Sequence, residues 1–325
     1  MTTKLTVLAT GGTIAGIAGS AIAKDYRAGE ITIDEYLETV GGLGLEPQLS
    51  GQQIANIDSA DMGPQVWNAL HRAVTQAIAD EACAGVIVTH GTDTLEETAF
   101  LLDLTLPSHK PVVLVGAMRP ADAVGYDGLR NFANAVRVAS DPQAAGRGVL
   151  VVMGDRVFAA RDVRKVRTRG TESFRGFPRE SIAQVTPGSL DWFGAPWRRE
   201  DDARFAWCDD LPEVVIVYAH AALCAEEVLR LVGEDTRGLV IAGVGEGNMP
   251  GRVREELALL AQSGIVVVRA SRADEGLVDR EVADEANRFV AARALNPQKA
   301  RILLQCLLAS DVRDPATIQQ AFDSR

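Results

Sequence analysis

Apolar residues along this chain follow two alternating periods. The runs 5–10, 85–89, 111–115 and 148–153 are short, rich in β-branched residues and nearly continuous, which is how strands buried on both faces of a parallel sheet read. Between them the spacing lengthens. Val66, Leu70, Val74 and Ile78 recur every four residues behind Pro64, and Leu129, Phe132 and Val136 share one helical face. Thr32-x-x-Glu35 predicts a capped helix through Val40, residues 52–57 a short strand, and Thr94-x-x-Glu97 a capping box opening another helix. Strand and helix therefore alternate at least four times, which predicts an α/β domain with a mainly parallel sheet flanked by helices.

Beyond Gly154 the periodicity fades. Residues 161–169 are locally basic and read as a solvated surface loop, and the mixed-charge stretch 191–210, with Trp192, Pro196 and Trp197, reads as a linker. Alternation resumes at 213–218, 238–244 and 265–269, predicting a second, smaller α/β domain with its own parallel sheet. Asn296-Pro297 and Asp314-Pro315 each place an N-cap candidate before proline, the signature of two closing helices. The expected organisation is an N-terminal catalytic domain over 1–190, a linker over 191–212 and a C-terminal domain over 213–325. No tandem repeat is present at solenoid periods.

Composition narrows the function. Hydrophobic content of 47% with 24% charged residues excludes a disordered chain, and a net charge of -11 argues against a general nucleic-acid binder, leaving a small soluble substrate. Cys83, Cys208, Cys224 and Cys306 form no C-x-x-C pair, and none of the four histidines has metalloprotease spacing. Reduced thiols and no metal are the expectation. No apolar run approaches the ~18 residues needed to span a bilayer. Lys4 and Ala21-Ile22-Ala23 imitate a signal peptide, but Thr10-Gly11-Gly12-Thr13 interrupts the apolar stretch between them, so a cytoplasmic chain without membrane attachment is expected.

Candidate chemistry gathers at strand ends, where open parallel sheets bind ligands. The first run ends in Gly11-Gly12-Thr13, a later strand in Asp58-Ser59-Ala60-Asp61, and the run 85–89 in His90-Gly91-Thr92-Asp93-Thr94. Paired glycines allow close backbone approach, but the frame is not that of a dinucleotide fingerprint. Residues 17–29, small and polar, suit a mobile flap over a pocket. The plain alternative is that these hydroxyls only cap helices. A hydroxyl nucleophile needs a base, and two candidates stand: His90, which also fits a hydrogen-bonded structural role, and Lys165, a lysine among arginines and beside a carboxylate.

The ordered set of motifs resembles the bacterial L-asparaginase family, which includes glutaminase-asparaginases. Thr10-Gly11-Gly12-Thr13-Ile14-Ala15 and His90-Gly91-Thr92-Asp93-Thr94-Leu95 are similar to its two signatures. The likeness continues through residues 58–62, 116–120, 161–165, 243–248 and 295–301, essentially the whole chain. It implies an amidohydrolase that splits L-asparagine into L-aspartate and ammonia without metal or organic cofactor. By motif position the resemblance makes Thr13 the nucleophile, supported by Tyr26 in the flap. Thr92, Asp93 and Lys165 form a second cluster, with Lys165 as proton acceptor and Thr92 orienting water or sharing in the attack.

The same resemblance assigns the α-amino group to Asp93 and the α-carboxylate to Ser59. The backbone around Gly91-Thr92 and the Ala117 carbonyl position the side-chain amide, and Gly12 and Asn248 belong to the substrate-binding set. Glu281 matches an acidic residue that reaches the amino group from a neighbouring subunit, which implies a homo-oligomer, an intimate dimer paired again into a tetramer. Two positions depart from the pattern: Ala60 stands where many members carry glutamine, and Glu246 where a neutral residue is common. Secreted members carry a cysteine pair where this chain has Asp80 and Ser108, which agrees with a reducing compartment. The rival readings are a glutaminase-asparaginase of comparable activity on both amides, an asparaginase-like amidotransferase subunit, and a non-catalytic amino-acid or nucleotide sensor. The amidotransferase reading is disfavoured because the chain opens directly on its first strand, and the sensor reading because a binder has no use for Lys165.

Overall fold

The computed structural model describes residues 4–20, 27–196 and 203–324. The chain divides into two compact units, Met1–Arg204 and Phe205–Arg325. In the first, β1 (Lys4–Gly11), α1 (Ile33–Gly41), β2 (Gln48–Ile57), α2 (Pro64–Ala79), β3 (Cys83–Thr89), α3 (Leu95–Thr105), β4 (Val112–Val115), α4 (Gly128–Ser140) and β5 (Val149–Met153) follow in order. Short strands β6 (Arg156–Ala159), β7 (Val163–Lys165), β8 (Phe174–Gly176), β9 (Ala183–Val185) and β10 (Leu190–Trp192) complete it.

Eight of these strands form one sheet in the order β10-β9-β6-β5-β4-β3-β1-β2. The run from β2 to β5 is parallel, and β6, β9 and β10 add an antiparallel edge. Successive residues of a strand point to opposite faces, so each central strand feeds two cores. Ile87, Val113 and Val115 pack with Phe132 and Ala135 of α4 and Tyr36 of α1, while Val86, Val88 and Leu114 pack with Leu70 and Val74 of α2 and Leu102 of α3. Strand order reverses between β1 and β3. At such a switch point the connecting loops leave in opposite directions and open a crevice at the strands' carboxyl ends.

The second unit contains β11 (Glu213–Tyr218), α5 (Ala225–Leu229), β12 (Thr236–Gly243), α6 (Gly251–Gln262), β13 (Val266–Ser271), α7 (Val282–Asn287), β14 (Phe289–Ala291), α8 (Pro297–Ala309) and α9 (Pro315–Asp323). Its four strands form a parallel sheet in sequential order. Asn296 and Asp314 cap α8 and α9 as the Asn-Pro and Asp-Pro pairs predict, each side chain accepting a backbone N–H.

The structure corrects three local expectations. The stretch expected to begin a linker at residue 191 is strand at its start, because Leu190–Trp192 pairs with β9 and Arg147 stacks its guanidinium 4.1 Å from the Trp192 ring centre. The basic stretch 161–169 is a solvated loop only at its end: residues 167–169 are exposed and outside any strand, whereas 161–166 are drawn into the fold. Val163–Lys165 pairs with β8, Val163 and Arg164 are buried, Arg164 lies over Phe177, and buried Asp162 is paired with Arg179 at 2.5 Å. Stacking and pairing let these charges leave water, which composition alone could not reveal. Finally, Thr94 does not close a capping box on α3: its side chain accepts no helix N–H and is turned to Ser59, whose carbonyl its hydroxyl donates to at 2.8 Å.

Candidate active site

The site is built by three strand-end turns that interlock. Thr10 Oγ1 donates to the Thr89 carbonyl at 3.0 Å, tying β1 to β3, and the Gly12 N–H donates to the Ile57 carbonyl at 2.9 Å, resting the first turn on the end of β2. Gly12 has φ of 82°, and a Cβ there would stand 2.3 Å from the Gly91 Cα. Only glycine satisfies both the conformation and the space. Thr13 follows at the head of a short 3-10 turn, buried, and Tyr126 holds that turn by donating to the Ile14 carbonyl at 2.6 Å. Burial pushes the Tyr126 hydroxyl well above the usual phenol range, so it keeps the proton that it donates.

Ser59 joins the second turn to the third. Its Oγ accepts the Asp93 N–H at 3.1 Å and its carbonyl accepts Thr94, while a Cβ on Gly91 would lie 2.7 Å from the Ser59 side chain. Asp58 braces this turn by accepting the Ala60 N–H at 2.9 Å. The β7–β8 hairpin then delivers Lys165. Its Nζ donates to Thr92 Oγ1 at 2.8 Å and contacts the Asp93 carboxylate. Thr92 and Lys165 are largely withdrawn from water, whereas the Asp93 side chain is 62% exposed and open to a cationic ligand group. Because Thr92 Oγ1 accepts from the lysine, its own proton is free to point elsewhere.

His90 is not placed to act as a base. Its ring is fully buried, Nδ1 lies 2.6 Å from the Gly91 carbonyl, and Nε2 lies 2.9 Å from Thr98 Oγ1. Trp67 Nε1 donates to the same Thr98 oxygen at 2.9 Å. The chain is consistent in one sense only: Trp67 donates to Thr98, Thr98 to Nε2, and Nδ1–H to Gly91. Burial lowers the imidazole from 6.5 to about 4, so it is neutral near pH 7, as this chain of donors requires. Carbonyl and N–H of a trans peptide point in opposite directions. Drawing the Gly91 carbonyl toward His90 therefore turns the Thr92 N–H away from the ring.

The Gly116–Ala117 turn adjoins the cluster, since a Cβ on Gly116 would lie 2.8 Å from the His90 carbonyl and 3.0 Å from the Thr92 methyl group. Asn131 holds this turn by donating to the Gly116 carbonyl at 2.9 Å, and Asp127 accepts the Met118 and Arg119 N–H groups at 3.1 and 3.0 Å. Tyr126, Asp127, Asn131, Thr98 and Trp67 escape a sequence reading because they sit in or beside helices whose pattern signals packing. The available hint is polarity at inward positions, as at Thr98 and Asn131, which are both buried.

Gly12, Thr13, Ser59, Gly91, Thr92, Asp93, Ala117 and Lys165 thus belong to one neighbourhood of the first unit. Tyr26 lies outside the described residues. Asn248 and Glu281 belong to the second unit, Asn248 exposed beside a Val244–Asn248 bridge and Glu281 at the N-cap of α7. Among the described residues, no group of three or more His, Cys, Asp or Glu could hold a metal ion, and no helix is long and apolar enough to cross a membrane. All four cysteines are free thiols.

Comparison with known proteins agrees with this geometry. The family model "Asparaginase, N-terminal" matches residues 4–198, and "Glutaminase/Asparaginase C-terminal domain" matches residues 213–322. The chain belongs to the asparaginase family. Within that amidohydrolase family it is 41% identical to the probable periplasmic L-asparaginase of Haemophilus influenzae and to L-asparaginase 2 of Escherichia coli, each over 98% of this chain and 92% of the relative. A glutaminase-asparaginase of Pseudomonas aeruginosa is 34% identical over 97% of this chain and 89% of its own. The crystal structure of a probable cytoplasmic L-asparaginase from Campylobacter jejuni matches with a TM-score of 0.94 and 36% identity, covering 99% of this chain and all of that one.

Proposed function

We propose that this asparaginase-family enzyme hydrolyses L-asparagine to L-aspartate and ammonia through a threonine nucleophile. The observation that carries the proposal is the contact of Lys165 Nζ with both Thr92 Oγ1 and Asp93, in a neighbourhood whose backbone also seats Thr13. Thr13 Oγ attacks the side-chain amide carbon, its proton passes to the departing nitrogen by way of Lys165, and ammonia leaves an aspartyl ester on Thr13. Water oriented by Thr92 then cleaves the ester, restoring the hydroxyl and releasing L-aspartate. Asp93 receives the substrate α-ammonium and Ser59 its α-carboxylate, an orientation that contributes several kcal/mol to lowering the barrier. Tyr26 supports Thr13, Asn248 contributes to substrate binding, and Glu281 completes the amino-group contact from a neighbouring subunit of a dimer or tetramer.

A cytoplasmic location fits the four free thiols and the absence of a cysteine pair at Asp80 and Ser108. The glutaminase-asparaginase relatives support a second reading, with comparable activity on L-glutamine. Ammonia release from L-asparagine, L-glutamine and D-asparagine, with a sizing column alongside, separates the two. Thr13→Ala should abolish release from every amide while leaving the melting transition in place. Retention of activity by that variant would end the nucleophile assignment.

A further inference from the structure

Two guanidinium groups hold the Glu281 carboxylate by different oxygens. Arg254 Nη1 donates to Oε2 at 3.1 Å, and Arg269 Nη1 lies 3.2 Å from Oε1. Arg269 is fully buried and its remaining donors are all engaged. Nε and Nη2 grip the Asp284 carboxylate at 2.7 Å each, Nη2 also reaches the Asp279 carbonyl at 2.9 Å, and Nη1 reaches the Glu246 carbonyl at 3.0 Å. Asp284 in turn accepts the Glu281 N–H at 2.8 Å. One buried side chain therefore ties the turn that leads to Asn248 to the N-cap of α7 that carries Glu281.

This arrangement is more than α7 needs. The Asp284 carboxylate, by accepting the Glu281 N–H, already secures the helix start, and Asp284 alone would neutralise Arg269. Arg254 adds a second cation to a carboxylate that is 36% exposed. The two arginines balance Asp284 and Glu281 in charge, so the contacts add no electrostatic pull on an ammonium beyond the outer lone pairs that Glu281 itself presents. What the contacts supply is direction: with one oxygen pinned on each side, the carboxylate cannot rotate, and its outer lone pairs keep one orientation.

We infer that Arg254 and Arg269 are positioning residues that hold Glu281 in a fixed orientation to accept the substrate α-ammonium in a neighbouring subunit. The inference rests on the reading of Glu281 given above. Each chain then carries a pre-set carboxylate, and the ordering cost of the exposed glutamate is met on folding instead of on substrate binding. A competing possibility has the opposite sign. If Arg254 merely competed with the ammonium for the carboxylate, its removal would tighten substrate binding.

The test uses L-asparagine, which has an α-amino group, and succinate, which lacks one. In Arg254→Gln, KM for L-asparagine is expected to rise about fivefold, the ratio that corresponds to ~1 kcal/mol, with kcat within about twofold and the inhibition constant of succinate unchanged. Arg254→Lys, which keeps one donor, should fall between the two. Glu281→Gln should show the same split more strongly. Arg269→Lys, with its melting transition recorded, should also show it, and Arg254→Gln carries the test alone if the buried substitution does not fold. If Glu281→Gln raises KM while Arg254→Gln leaves it unchanged or lowers it, the positioning role is overturned and the reading of Glu281 stands. If Glu281→Gln itself has no effect on KM, both fall together.

Discussion

Gly12 and Gly91 meet backbone to backbone, with so little space that a Cβ on Gly12 would stand 2.3 Å from the Gly91 Cα. This contact seats the turn bearing Thr13 against the turn bearing Thr92. It also makes the site vulnerable to a single methyl group. Gly12→Ala combines that overlap with a φ of 82°, and is expected to destabilise the fold by ~3 kcal/mol. Displacing Thr13, the proposed nucleophile, should lower kcat by about a hundredfold or more. Thermal melting and ammonia release check both, and a variant with parental activity would show that the turns can separate without consequence.

Lys165→Met keeps the length of the side chain and removes its donor. Since Nζ is the group that touches both Thr92 and Asp93, kcat should fall by about 10³-fold, within the range of general acid–base contributions. Stability should change little, because the Lys165 side chain packs beside the cleft and not within either core. A kcat within tenfold of the parent would remove lysine from the proton path.

His90 predicts a pH dependence of stability that is separate from catalysis. Its folded value of about 4 lies below the ordinary 6.5, so the unfolded chain binds this proton more readily. The stabilisation is complete above pH 6.5 and is lost as pH falls toward 4, a span of ~3 kcal/mol. Urea midpoints measured between pH 7 and pH 4 should decline more steeply for the parent than for His90→Gln. Parallel curves would mean that the imidazole is not held neutral by the fold.

Thr98 is the link that satisfies both Trp67 and His90. Thr98→Val preserves shape but strands a buried indole N–H and a buried imidazole nitrogen, at an expected cost of ~2–4 kcal/mol. Thr98→Ser retains the hydroxyl and should lose less than half as much. Equal losses in the two variants would point to methyl packing instead of the hydrogen bonds.

Ala60 follows Ser59 in the turn facing the site and is exposed. Ala60→Gln adds a donor and acceptor where the family pattern often has one, and is expected to lower KM for L-asparagine by about fivefold, equivalent to ~1 kcal/mol. An unchanged KM would indicate that water already fills that role.

Local pattern alone determined a good deal of this protein. The two periods mark the central strands and helices, because a parallel strand between two helical layers must be apolar on both faces, and an amphipathic helix must show its stripe. The glycine-threonine turns were legible for the same reason: close backbone approach and strand-end hydroxyls leave a mark in consecutive residues. Tertiary structure decided what those turns face. That β1 lies between β2 and β3, bringing Thr13, Ser59 and Thr92 into one crevice, follows from pairings 40 to 80 residues apart. Lys165 arrives on a three-residue strand too short to show a period, in a charged segment that reads as loop because its partners Phe177 and Arg179 are supplied by the returning chain. Thr94 has the sequence of a cap and the function of a tie to Ser59, and His90 has the chemistry of a base and the surroundings of a buried strut. Propensity and spacing are properties of neighbours along the chain, whereas the partner of a hydroxyl or an imidazole is whichever group folding brings within about 3 Å.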